Sequence, residues 1–591
     1  MLLEKLREYA EEQLDLPPAG YQKQTIRYII RLAPDGRFLN CEDTADSANK
    51  VRGIERVAPA IKRTVGVSPK LLADTGEYVL GIARDDPKKP AKPERVEAQR
   101  ASFAQLVNEC AAATSEPSVQ AVAAFLTGNL PTKAELAPNF DASATMTFRV
   151  NDAAGPGDVL PISLASVQAF WAARQAPDAV TSEANAMPCI VCGTVGPVLE
   201  RHPFKIKGIP GGQILKDLIS ANAPAFESYG LNASEIAPTC PTCAEAYGNA
   251  LNALLANKST SLWTKELAYA FWTDPGEEAF GQIVIGAVSD PQSVSGEVRE
   301  LLTAYRSGNI ASLSLNPARF YAAAFGASGA RVVVKDWIDT TVGEAKARLA
   351  RYFALQEMVQ WDGSPSRPLP VTWIANATVH RKATAPPIVS QSLVRLALAG
   401  EPLPLDLLFL AVRRNRAEQG VSRERAMLIK MVEGSRRQHS LEEVSRMTTL
   451  DSTNDRPAYV CGRLLATLDR IQRVALGTTN ATIVDKFYGT ASSAPASVFG
   501  TLLHGAQNHL GKMRRDRPGA HYVLEQQLEQ ILAPMTAFPM TLTLQDQGLF
   551  ALGFYHQRAA DRAQAAANKA KREAEGKPVA ASAAGPDDIV E

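Results

Sequence analysis

The chain predicts an α+β fold: a mixed N-terminal region interrupted by a four-cysteine module, then an α-helical bundle C-terminal domain. Three observations carry that expectation. Strand-like alternation and turn signals recur up to about residue 389. Two CxxC pairs, Cys189-Ile190-Val191-Cys192 and Cys240-Pro241-Thr242-Cys243, bracket one internal stretch. From about Ser390 strand signals vanish and helical periodicity takes over.

Leu2, Leu3, Leu6, Tyr9, Ala10 and Leu14 recur at helical spacing, and Pro17-Pro18 stops that helix. Ile26, Tyr28, Ile30 and Leu32 alternate with Arg27 and Arg31. Pro34-Asp35-Gly36 and Arg37-Phe38-Leu39 follow, which predicts a hairpin. Tyr78-Val79-Leu80-Gly81 reads as a short strand, and residues 85–95 as an exposed loop. Phe103 to Leu126 reads as helix broken at Pro117. Alternation around Met146, Phe148 and Val150 gives a strand, and Ser166 to Arg174 a helix. Ala244 to Leu255 has helical spacing. Leu313 to Asn316 and Val332-Val333-Val334 read as strands, and Trp337 to Val359 as a long helix. Beyond Ser390, apolar faces recur over 393–398, 405–416, 423–432 and 464–474. Residues 559–591 are mostly Ala, Lys, Glu and Gly and predict a fraying helix that passes into disorder. The expected domains are 1–185 (mixed), 186–260 (cysteine module), 261–389 (mixed continuation), 390–558 (helical bundle) and 559–591 (tail).

Each CxxC turn aims two sulfurs at one point, so Cys189, Cys192, Cys240 and Cys243 supply four thiolates for a tetrahedral zinc ion. Gly193 suits the tight first turn and Pro241 stiffens the second. Residues 193–239 exceed an ordinary zinc-ribbon loop, so an insertion sits between the knuckles. Four protein thiolates leave no open coordination position, which makes the expected zinc structural. Two unrelated thiol pairs are the competing reading. His202 reads as polar surface near the basic residues Arg201, Lys205 and Lys207.

The 591 residues are 46% hydrophobic and 21% charged, with a net charge of +1, so global attraction to a polyanion is excluded and any nucleic-acid surface must be local. Seven cysteines, three of them scattered, fit a reducing compartment. The acidic, helical N-terminus is unlike a signal peptide, and no apolar run reaches the ~18 residues needed to span a bilayer. The expected location is the cytoplasm. Three basic groups stand out. Asn49, Lys50, Arg52, Arg56, Lys62, Arg63 and Lys70 face only Glu55 in a loop-like stretch. Arg463, Arg470 and Arg473 share one helical stripe. Lys512, Arg514, Arg515 and Arg517 are opposed only by Asp516. A solvated charged face explains each group singly; several separate contacts along a polyanion explain all three.

No GxxxxGK[ST] loop, strand-borne GxGxxG, HExxH or GxSxG occurs. The seven histidines form no compact catalytic pair. Read from residues alone, a zinc-dependent nucleic-acid-processing enzyme with an unrecognised site and a purely structural scaffold both stand beside a binding subunit.

The C-terminal stretch carries Asp485-Lys486-Phe487-Tyr488-Gly489, Ala491-Ser492-Ser493-Ala494-Pro495, Val498-Phe499, Leu502-Leu503, His509-Leu510 and Pro518-Gly519. Phe538-Pro539, Leu544, Gln547-Gly548 and Gly553-Phe554-Tyr555-His556-Gln557-Arg558 complete it. In this order it resembles the large subunit of the type I-C CRISPR effector complex (Cascade). Leu16-Pro17-Pro18, Asp35-Gly36-Arg37-Phe38, Leu71-Leu72-Ala73-Asp74, Ala225-Phe226-Glu227-Ser228-Tyr229-Gly230 and Asn316-Pro317-Ala318-Arg319 extend the likeness over nearly the whole chain. The resemblance implies a non-enzymatic subunit of a guide-RNA ribonucleoprotein, beside the backbone and 5′-handle-binding subunits. It implies recognition of the protospacer-adjacent motif (PAM) in target double-stranded DNA, help in unwinding and R-loop stabilisation, and recruitment of a separate helicase-nuclease. It also implies a small subunit made from an internal start, for which Met447 is the candidate ahead of Met427 and Met431, giving a small-subunit-like part over roughly 447–558. The two CxxC pairs are not part of the resemblance.

Overall fold

The computed structural model describes residues 1–574 apart from 19, 47–51, 62–65, 86–91, 152–156, 176–185, 200, 203, 222, 362–363, 365, 382, 437–440 and 478. The chain forms two compact units. The first holds Met1–Phe204 and Ile219–Ala250; the second holds Lys205–Leu218 and the chain from Leu251 onward. This is a coarser grouping than the five expected segments, because the cysteine module divides between both units.

The first unit opens with helix α1, Leu2–Gln13. Strands β1 (Tyr21–Ile26), β2 (Tyr28–Leu32), β3 (Phe38–Asp43), β4 (Ile54–Pro59), β5 (Ala73–Thr75), β6 (Thr145–Asn151) and β7 (Asp158–Val159) follow. One sheet has the order β3-β2-β6-β5, with β7 on β6. Its β2–β3 hairpin closes as expected over Pro34-Asp35-Gly36. Gly36 there has φ +89°, a value only glycine adopts without strain, and its N–H donates to Ala33 O at 2.9 Å. The apolar alternation of β2 and β6 puts Tyr28, Ile30, Leu32, Met146, Phe148 and Val150 into one core. Phe103, Val107, Val122 and Phe125 of α2 (Pro93–Thr114) and α3 (Pro117–Thr127) pack there. Burying each such side chain stabilises by ~2 kcal/mol. β1 and β4 form a separate two-stranded ribbon. It is anchored by Trp171 of α4 (Ala165–Gln175), whose Nε1 donates to Gly20 O at 2.9 Å.

Tyr78 is not in a strand: Gly76–Val79 makes one helical turn. Buried Asp74 ends β5 by accepting from the N–H groups of Lys70 and Thr75, both at 2.8 Å, and Gly76 lets the turn lie against Ala142. Four residues are too few for periodicity to distinguish the two forms. The expected loop at 85–95 yields to helix from Pro93; residues 86–91 of it lie outside the described residues.

The cysteine module begins with the small hairpin β8 (Ala186–Pro188) and β9 (Val195–Pro197) and ends in α5, Pro241–Ala256, the expected helix behind the second knuckle.

The second unit is built on a sheet of order β10-β11-β15-β14-β13-β12. Its strands are β10 (Lys205–Ile206), β11 (Lys216–Asp217), β12 (Ser261–Trp263), β13 (Ala268–Thr273), β14 (Arg319–Ser328) and β15 (Arg331–Thr341). Helices α6 (Glu278–Ser289), α7 (Ser295–Arg306), α8 (Val342–Gln356) and α9 (Pro387–Ala399) share its core. The expected helix from Trp337 begins only at Val342. Val332, Ile338, Thr340 and Thr341 favour extended backbone, and the Thr341 hydroxyl caps α8 by accepting from Glu344 N–H at 3.1 Å. The expected strand at Leu313 is instead the end of a helical turn, Ile310–Leu313.

Beyond it lie α10 (Leu405–Glu418), α11 (Arg423–Arg436), α12 (Pro457–Leu476), α13 (Ile483–Ala491), α14 (Phe499–Asp516), α15 (Pro518–Leu532) and α16 (Leu544–Ala574). The bundle expected after Ser390 is therefore present. α16 runs past Arg558 to Ala574, held by Asp561, which pairs with Arg470 at 2.8 Å, so ordered helix replaces the first part of the expected tail. Among the described residues no helix is long and apolar enough to cross a membrane.

Candidate metal centre and basic surfaces

The four cysteine sulfurs lie within 4.8 Å of one another. Four sulfurs each ~2.3 Å from a shared ion sit ~3.8 Å apart at the corners of a tetrahedron. Cys192 Sγ and Cys240 Sγ are 3.9 Å apart, close to that edge and far from the ~2.05 Å of a disulfide. The arrangement fits a metal ion held by four cysteines.

Local backbone geometry builds this cluster. Cys189 N–H donates to Thr194 O at 3.0 Å and Gly193 N–H to Cys189 O at 2.8 Å, closing the first knuckle at Gly193, φ +73°. The second knuckle is the entry into α5, where Pro241 needs no N–H donor and Cys243 lies on the first turn. The two knuckles are tied by Ile190 N–H to Pro238 O at 2.8 Å and Leu199 N–H to Thr239 O at 3.0 Å. Val191 and Cys240 N–H both point at Cys189 Sγ, at 3.5 and 3.4 Å. Thr194 hydrogen bonds draw the Cys192 thiol down to about 6, whereas burial and the neighbouring sulfurs push Cys243 up. Such a set of clustered thiols favours a divalent cation, which takes all four as thiolates.

His202 is only 8% exposed, and its Nδ1 is 2.7 Å from the hydroxyl of buried Tyr247. It is therefore a packed residue behind the centre, not polar surface. The sequence showed its residue type but not the Tyr247 that covers it.

The basic groups fall in different settings. Arg52 and Arg56 are exposed, Arg56 on β4 opposite Gln24 of β1. Asn49, Lys50, Lys62 and Arg63 lie outside the described residues. Gln24 accepts from Lys70 Nζ at 2.7 Å and donates to Ala58 O and Pro59 O, which stiffens the ribbon. Lys23, outside the basic run that the sequence singles out, is also exposed on β1 and joins that run only through the β1–β4 pairing. Among the described residues, Lys23, Arg52 and Arg56 make no ion pair.

The α12 stripe turns inward. Arg463 is 8% exposed, and its Nε donates to Gln557 Oε1 at 3.1 Å. Arg470 pairs with Asp561, and Arg473 Nε with Asp469 Oδ2 at 2.9 Å. These arginines stitch α12 to α16 and to its own preceding turn. Lys512, Arg514 and Arg515, at the end of α14, are exposed and make no ion pair among the described residues.

The fold and the cysteine cluster define a two-unit α+β protein with four clustered cysteines able to hold a metal ion and exposed basic residues on separate elements. Residues 2–561 match the family model described as CRISPR-associated protein (Cas_Csd1), and the chain belongs to that family. No curated protein matches the chain.

Proposed function

We propose that this protein is the large subunit of a type I-C RNA-guided surveillance complex in the cytoplasm. In this reading it recognises the PAM, promotes unwinding of the duplex, stabilises the R-loop and helps recruit the helicase-nuclease. The match to the CRISPR-associated family over residues 2–561 is the observation that carries it. Its partners are the guide RNA, the backbone and 5′-handle-binding subunits and target double-stranded DNA. The chain itself performs no chemistry.

The β1–β4 ribbon, with Lys23, Arg52 and Arg56, is the proposed motif-sensing and duplex-opening element, together with Asn49, Lys50, Lys62 and Arg63. A two-stranded ribbon fits the ~12 Å major groove, and a bidentate base contact is worth ~1–3 kcal/mol of discrimination. Lys512, Arg514 and Arg515 are the proposed backbone contacts in the helical part, Arg470 and Arg473 secondary ones. Arg463 belongs to packing because its side chain is turned inward. Zinc is the proposed metal at Cys189, Cys192, Cys240 and Cys243, where it staples the module.

The small subunit is proposed to start at Met447. Helices α12 to α16 then form its body, and its first residues keep a place on it: Asp451 N–H donates to the Tyr459 hydroxyl at 3.1 Å. Mass spectrometry of the purified complex tests this start; absence of any C-terminal fragment contradicts it. The functional reading is tested by purifying the chain with its partners and sequencing bound RNA. Repeat-derived guide RNA is the expected result, and its absence from an intact complex overturns the reading.

A further inference from the structure

We infer that the outward stripe of α10, Phe409 with Arg413 and Arg416, binds unpaired DNA: a base stacks on the Phe409 ring while the two guanidiniums hold backbone phosphates. The stripe stands on the geometry of α10 itself. That its occupant is the displaced strand of an opened target rests on the function proposed above.

Spacing makes the stripe. Residues 409, 413 and 416 stand four and three apart, which places them within ~60° of one another around the helix and over ~10.5 Å along its axis. The opposite face seats α10. Leu407, Leu408, Ala411 and Val412 belong to the apolar core of the second unit. Leu408 lies so near α16 that a Cβ on Gly548 would stand 3.0 Å from its Cδ1. Just past the helix end, Gln419 Oε1 accepts from Gly489 N–H of α13 at 3.2 Å. The outward side chains are therefore carried on a fixed helix, so little order has to be gained on binding.

The charges of α10 divide by direction. Arg414 turns to Glu418, which also pairs with Arg425 at 2.6 Å, and Asn415 accepts from Arg425 Nε at 2.7 Å. Arg413 and Arg416 are exposed and make no ion pair among the described residues. Asp406, in the first turn, complements the helix dipole at the other end. The dipole accounts for a cation in the last turn, at Arg416, but not for Phe409. That ring is 51% exposed, and the Arg413 guanidinium stands 5.9 Å from its centroid. This is the outer limit of a cation–aromatic contact, and it leaves the ring accessible.

An open aromatic ring beside two uncompensated cations suits a ligand with both a π-face and regular negative charge. A single nucleic-acid strand has both, whereas a duplex keeps its base faces in the stack and offers only phosphates. When a guide pairs with one strand of a target, the other DNA strand is left unpaired.

The test titrates the full chain with a fluorescently labelled oligothymidylate, and with a duplex of the same length, at several salt concentrations. Phe409→Ala should weaken single-strand binding about tenfold while leaving its salt slope and the duplex affinity unchanged. Phe409→Trp should restore it. Arg413→Gln and Arg416→Gln should each lower the slope of log affinity against log salt by ~0.7. Unchanged single-strand binding in Phe409→Ala overturns the site, as does equal loss for single strand and duplex. Loss of partner subunits from the purified complex with oligonucleotide affinity intact also overturns it, and makes the patch a protein interface. For the source, bromodeoxyuridine is placed in one DNA strand at a time of a target bound by the assembled complex. Photo-crosslinking of α10 to the displaced strand is expected. Crosslinking to the target strand alone, or to neither, overturns that source while the oligonucleotide result stands. A complex without guide RNA overturns the function proposed above and leaves the stacking site to be judged by the oligonucleotide titration.

Discussion

A Cβ on Gly553 would run into the carbonyl oxygen of Tyr459, across the crossing of α12 and α16. Gly462 does the same from the other side, where a Cβ would meet the carbonyl of Phe550. Two glycines therefore bring these backbones into direct contact. The motif from Gly553 to Arg558 is built around that crossing. Tyr555 donates to Val359 O at 2.7 Å, His556 meets the Tyr459 hydroxyl at 3.0 Å, Gln557 accepts from Arg463, and Arg558 lies over Trp361. The residues that carry the family resemblance are here packing residues.

Gly553→Ala forces the two helices apart, because the obstructing atoms are backbone and cannot rotate away. Overpacking of this kind costs ~1–3 kcal/mol or more. Chemical denaturation followed by tryptophan fluorescence should show a lower midpoint for Gly553→Ala and for Gly462→Ala. Gly500→Ala, whose Cβ would meet nothing within 4 Å, serves as the silent comparison.

His556 predicts acid sensitivity of the bundle. Burial, with a smaller effect from Lys430, lowers its pKa to about 3, while Asp451 acts in the opposite direction. The folded state then keeps the ring neutral, whereas the unfolded chain protonates it below ~6.5. The unfolded state binds the extra proton, so stability falls as pH drops from about 6.5 toward 3, by up to ~1.4 kcal/mol per pH unit. Denaturation midpoints at pH 7 and pH 5 should differ more for wild type than for His556→Gln. An equal difference in both assigns the acid sensitivity elsewhere.

Lys430 predicts a slope on the other side of neutrality. Its ammonium is buried at the end of α8, donating to Glu357 O at 2.6 Å and Thr448 Oγ1 at 2.7 Å, and burial lowers its pKa to about 7. The unfolded chain stays protonated up to ~10.5, so between about pH 7 and 10.5 it binds more protons than the folded one. Stability should rise with pH over that window, and Lys430→Met should flatten the rise.

Removing metal acts locally. Chelation or Cys240→Ser should increase proteolysis and hydrogen exchange over 186–250 while the α12–α16 crossing keeps its denaturation midpoint. A module equally protected without metal would leave the four cysteines as ordinary thiols.

These features were unequally legible from the residues. The clustering of Cys189, Cys192, Cys240 and Cys243 was readable because CxxC spacing is local. The β2–β3 hairpin and the break at Pro117 were readable for the same reason: each is decided by two or three adjacent residues. The strand from Arg331 to Thr341 was half missed because Trp337 to Val359 has apolar spacing that suits either form, and only its pairing with β14 decides. For α12 the helix was legible but the orientation of its arginine stripe was not. Arg463 faces in because Gln557, 94 residues away, offers it an acceptor. No local pattern announces such a partner, nor the facing of Gly462 and Gly553. Lys23 was overlooked because it stands outside the basic run and joins it only through β1–β4 pairing.

The exposed Lys512, Arg514 and Arg515 should behave as phosphate contacts. Replacing any one by Ala should weaken target binding uniformly across sequences and reduce the slope of log affinity against log salt by about one. An unchanged slope returns this cluster to a solvated helix end, where its charge merely complements the helix dipole.

The most direct test of the central claim is the affinity of the assembled guide-RNA complex for matched duplexes that differ only in the flanking motif. Wild type should prefer one motif strongly, and Arg56→Ala with Lys23→Ala should narrow that preference while leaving guide pairing intact. Equal affinity for every flanking sequence in the wild-type complex would contradict motif recognition by this subunit and leave it a scaffold.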